Sequence, residues 1–72
     1  MIRDKAVASE VSKLMLDYGA KLDESLHIVK ERCSPEEFTE YRKVVGKILG
    51  EMLDVMNPIY IQHPDLKPPE LK

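Results

Sequence analysis

The chain has a single cysteine, Cys33, among its 72 residues. One thiol cannot make an intramolecular disulfide, and it excludes a zinc site built on several thiolates. An excess of positive charge is also missing, since Lys+Arg 11 stand against Asp+Glu 13 for a formal net charge of −2. Residues 1–33 carry six charges of each sign, residues 34–57 three basic and five acidic, and residues 58–72 two of each. No segment is basic, so no long-range attraction draws the chain to nucleic acid or anionic lipid. Uncharged apolar runs are short, far below the ~20 residues of a membrane span. The opening Met1-Ile2-Arg3-Asp4-Lys5 mixes charge signs where a secretory signal needs a basic stretch followed by an apolar one. With a free cysteine as well, the expectation is a cytoplasmic protein with no membrane partner.

What is present is apolar enough to fold: 43% of residues are hydrophobic and 33% charged. A chain of 8.3 kDa allows one small domain, which buries only about 60% of its unfolded surface. The first half has no proline before Pro35 and one glycine, Gly19. Its apolar residues Val7, Val11, Leu14, Met15, Tyr18, Leu22, Leu26 and Val29 recur in steps of three and four. At ~100° per residue they share an arc of roughly 120°, which predicts a helix over about 2–32. Ser25 also falls on this face, opposite Tyr41 or Arg42, and reads as a small residue permitting close packing.

Cys33-Ser34-Pro35-Glu36-Glu37 ends that helix and starts another. Ser34 supplies a capping hydroxyl and Pro35 suits the first helical position, where no N–H is needed. Glu37, three residues on, completes a capping box. The second helix is predicted over about 35–56. Its apolar positions, Phe38, Tyr41, Val44, Val45, Ile48, Leu49, Met52, Leu53, Val55 and Met56, cover nearly half the circumference. A tight turn at residue 33 pairs positions whose numbers sum to about 67. Asn57-Pro58 should interrupt the pattern, leaving 58–72 as a short kinked or helical segment and a proline-rich arm.

The expected fold is therefore all-α: an antiparallel two-helix hairpin over 1–57 with a C-terminal arm. Two helices cannot enclose a core, and small chains without disulfides or metals commonly self-associate. A homodimer forming a four-helix bundle is the simplest closed solution. The residues assigned to its packing interface are Val44, Ile48, Met52 and Val55, with Gly46 and Gly50 setting the spacing. Ile59, Tyr60, Leu66 and Leu71 are assigned either to a partner-binding arm or to covering the hairpin itself. Leu16 and Ala20, on the polar back of the first helix, are a further small contact.

The expected function is a non-catalytic protein-interaction or regulatory module. It has no catalytic residues, no cofactor and no metal, and its partners are itself and another protein. Two rival readings remain. Glu24-x-x-His27 has the spacing of di-iron sites in helical bundles, yet His27 points away from the apolar stripe, where a solvated face is the simpler account. Arg3, Lys5, Lys13, Lys21 and Lys30 would serve an RNA-binding hairpin dimer, but six acidic residues interleave with the basic ones of this helix. Cys33, just before a helix N-terminus, reads as an ordinary turn cysteine.

Overall fold

The computed structural model describes residues 1–68, and over them the chain is two antiparallel helices followed by one short turn of helix. Helix α1 spans Lys5–Arg32 and helix α2 spans Pro35–Gln62, each of 28 residues. A single 3-10 turn, η1, follows at Pro64–Leu66. No strand occurs among the described residues. No helix among them is long and apolar enough to cross a membrane. The molecule measures 44 × 20 × 15 Å, and 28 residues at ~1.5 Å rise account for its length. Its radius of gyration is 14.5 Å, against about 11 Å for a compact domain of this size. It is a slab one hairpin thick.

Local chemistry explains the helix ends. Asp4 caps α1, its Oδ1 accepting from the Ala6 N–H at 2.9 Å and the Val7 N–H at 3.2 Å. Lys30 and Arg32 lie in its last turn, where positive charge complements the helix dipole. The Ser34 hydroxyl accepts from the Glu37 N–H at 3.2 Å, and the Glu37 carboxylate accepts from the Ser34 N–H at 3.0 Å. The capping box read from the sequence is thus formed. Cys33 bridges the helices in an extended conformation and is exposed.

The pairing register follows the turn. Gly19 faces the Leu49 side chain, whose Cδ2 lies 3.9 Å from where a Cβ on Gly19 would sit. The Ser25 and Tyr41 hydroxyls are 2.7 Å apart. These pairs sum to 68 and 66 and bracket the expected 67. The buried line on α1 is rotated from the one drawn by hydrophobicity: Ala8 and Ser12 are buried, while Val7, Leu14 and Tyr18 stay exposed. The small residues Ala8 and Ser12 lie buried at the contact, and bulkier side chains flank it.

The second helix does not end near Met56. It continues through Asn57 and Pro58 to Gln62. Proline inside a helix costs ~3 kcal/mol, and the Asp54 carbonyl loses its usual donor. Burial offsets this, because Ile59 is fully buried and Tyr60 nearly so, each contributing about 1.5–3 kcal/mol. Ile59, Tyr60, Met56 and Ala8 form the core cluster, with Ile2, Val11, Met15, Val55 and Leu66 packed on it. The core therefore sits at the open end of the hairpin, where η1 folds back. Three polar contacts close that end. The Met1 ammonium donates to Gln62 Oε1 at 3.0 Å, His63 Nε2 donates to the Ile2 carbonyl at 2.8 Å, and Lys5 pairs with Asp65.

Candidate interaction surfaces

A slab of two helices has two broad sides, and both carry apolar side chains. On the first side Tyr18 and Ser25 of α1 and Tyr41 and Ile48 of α2 border an open groove, edged by Lys21, with Met15 and Met52 in its floor. Val44, one turn from Ile48, extends it. Leu14, Tyr18, Val44 and Ile48 are 46%, 48%, 56% and 41% exposed. On the second side Leu16 and Ala20 of α1 meet Leu49 and Leu53 of α2 over the same two methionines. Leu16 and Ala20, an isolated pair in the sequence, thereby become half of a groove.

The residues assigned to one packing interface divide between these sides. Val44 and Ile48 belong to the first, with Val55 half-buried near the core and Met52 lining both grooves. Gly46 and Gly50 lie about 160° around α2 from Ile48, toward Leu53. A Cβ at either glycine would meet nothing within 4 Å, so neither is required for packing inside the hairpin. One flat partner cannot touch Ile48 and both glycines together.

The arm residues are also placed differently from a free recognition segment. Ile59 and Tyr60 belong to the hairpin's own core, and Leu66 packs on the same cluster. The physical reason is the continuation of α2 past Pro58, which carries Ile59 and Tyr60 onto the α1 side. Leu71 lies outside the described residues.

Polar groups inside the hairpin are satisfied in pairs. The Ser12 and Tyr60 hydroxyls are 2.6 Å apart and buried. Ser25 also donates to the Leu22 carbonyl at 2.6 Å. Ser12 escaped sequence reasoning because a hydroxyl within an apolar stripe scores as a break. Its spacing with Ala8 and Gly19, in steps of four and seven, was the available signal.

Among the described residues the Asp, Glu, Lys and Arg side chains are all exposed. His27 is exposed and its Nε2 lies 3.9 Å from Asp23, one turn earlier on the same helix. Glu24 is exposed, and among the described residues no three His, Cys, Asp or Glu side chains come together as a metal-binding group. Lys21 pairs with Asp17 at 3.2 Å across an exposed turn. Two carboxylates are shifted. Glu37 is held below the usual carboxylate range by the Ser34 N–H and then the Ser34 hydroxyl. Asp65 is lowered chiefly by its hydrogen bond from Lys5. Both duties are structural, a helix cap and a clasp on the chain ends.

No known family model, curated protein or solved structure matches the chain.

Proposed function

We propose that this chain is a non-catalytic interaction module that works as a homodimer, two hairpins closing into a four-helix bundle in the cytoplasm. The observation that carries this reading is the distribution of apolar side chains. Among the described residues five hydrophobic side chains are buried, whereas ten large ones, Met1 and Ile61 among them, stay exposed. Water-exposed apolar area at ~25 cal/mol per Å² is a standing drive for association. The first side is the dimer surface. Its groove runs between the helices, and Leu14, Tyr18, Val44 and Ile48 form an apolar strip of the kind that bundle cores use. The second side, with Leu16, Leu53 and the glycine edge, is then left for a different protein, which makes the dimer a platform with two equivalent outer faces.

Light scattering on the purified protein tests the reading. A mass near twice 8.3 kDa, lost on Ile48→Asp, supports it. A stably folded monomer at all concentrations overturns it.

A further inference from the structure

The rim of the first side carries charges in an order that selects one dimer. By helical periodicity Asp17 and Lys21 edge it on α1, and Lys47 and Glu51 edge it on α2. All four are exposed. The observed register, with facing numbers summing to 66–68, sets Lys47 level with Lys21 to within a residue, and Glu51 level with Asp17. Basic is level with basic, and acidic with acidic.

Two-fold symmetry allows two ways of laying this side on a copy of itself. With both turns at the same end, α1 packs on α2 of the other copy at equal height. Lys21 then meets Lys47 and Asp17 meets Glu51, twice each, against favourable contacts between Arg32 and Glu36 near the turn and between Glu24 and Lys43 at the outer edge. With the turns at opposite ends, α1 packs on α1 and α2 on α2, each reversed about the middle of the strip. Lys21 then meets Asp17 of the other copy and Lys47 meets Glu51, again twice each. Reversal about Ile48 brings Val44 level with Met52 and Tyr41 level with Val55, and leaves Lys47 two residues, about 3 Å of rise, off level with Glu51, a gap the lysine side chain spans.

From this charge order we infer that the occupant of the Tyr18–Ile48 face is a second copy in reversed orientation, with the hairpin turns at opposite ends of the bundle. The inference rests on the dimer proposed above. Four attractions replace four repulsions, and rim charges of this kind decide orientation more than affinity.

The single cysteine reports the orientation without any substitution. Cys33 is at the turn and exposed. A nitroxide attached there gives a spin–spin distance in the intact dimer by pulsed electron resonance. Fifteen residues of rise separate Cys33 from the level of Ile48, so the reversed dimer predicts a distance of about 45 Å. The same-end dimer predicts roughly 10–20 Å from interaxial spacings alone. The longer distance supports the inference, and the shorter one in a protein of dimer mass overturns it. No dipolar coupling in a protein of monomer mass overturns the dimer itself. Salt gives a second sign. The reversed dimer weakens by roughly two- to tenfold as NaCl screens the rim pairs, whereas screening tightens the same-end dimer.

Discussion

Replacing Ile48 by aspartate probes the proposed dimer surface where its contribution can be worked out. Ile48 is 41% exposed in the hairpin, and fully burying an isoleucine contributes about 1.5–3 kcal/mol. The fraction left for the partner is thus about 1 kcal/mol per copy, or about 2 kcal/mol per dimer. In the reversed arrangement the two Ile48 side chains face each other near the symmetry axis. Two carboxylates there are desolvated and mutually repulsive, which adds at least several tenths of a kcal/mol at high effective dielectric and more at low. A total of at least ~2.5 kcal/mol weakens the dimer on the order of hundredfold. Ile48→Ala, which removes only apolar area, should weaken it by roughly 30-fold. Ile61→Asp is the control, because Ile61 is 82% exposed and lies far around α2. Sedimentation equilibrium measures the mass, and circular dichroism measures helix content on the same samples. Since only five hydrophobic side chains are buried among the described residues, Ile48→Asp should lose helix and mass together. An unchanged dimer refutes the surface, and a sharply melting helical monomer refutes the claim that the hairpin needs a partner.

The Ser12–Tyr60 pair should behave as a unit in thermal melts. Ser12→Ala or Tyr60→Phe alone leaves one buried hydroxyl unpartnered and costs about 1–3 kcal/mol, while the double variant costs less than the sum of the singles. Additive losses would show that the hydroxyls do not interact. Gly50→Ala should stabilise the chain by ~1 kcal/mol in denaturant titrations, because a Cβ there meets open space. A loss of stability would place a close neighbour on that edge in the folded protein. Acid should release both the capping box and the clasp. The folded pKa values of Glu37 and Asp65 lie below their unfolded ones, so their stabilisation is complete above the ordinary carboxylate range. It is lost as pH falls through the lowered values. NMR titration of the two side chains checks this, and midpoints at or above the ordinary range would contradict it. Ser34→Ala should cost about 1 kcal/mol and lessen the downward shift of Glu37 without abolishing it, because the Ser34 N–H, its main cause, remains.

Much of the hairpin was legible because its signals are local. The turn at Cys33-Ser34-Pro35 depends on a hydroxyl, a missing N–H and a carboxylate within four residues, and all three act over a few ångströms of chain. The helical periodicity on either side is equally local, and antiparallel pairing follows from so short a connection. Asp4 is a local signal too, and it marks the α1 start that periodicity placed two or three residues early.

Tertiary contacts decided the rest. Hydrophobicity centres the α1 contact near Val11, Tyr18 and Val29, yet the buried line runs through the small residues Ala8 and Ser12. Bulky Tyr18 and Leu14 are thereby turned outward to become a surface. Pro58 reads as a stop because its cost is intrinsic to the residue, whereas the gain from burying Ile59 and Tyr60 exists only when α1 is alongside. That gain carries α2 on to Gln62 and makes core of residues that look like an arm. The split of Val44 and Ile48 from Gly46 and Gly50 has the same origin. One wide apolar face on a helical wheel becomes two surfaces once another helix lies along its middle.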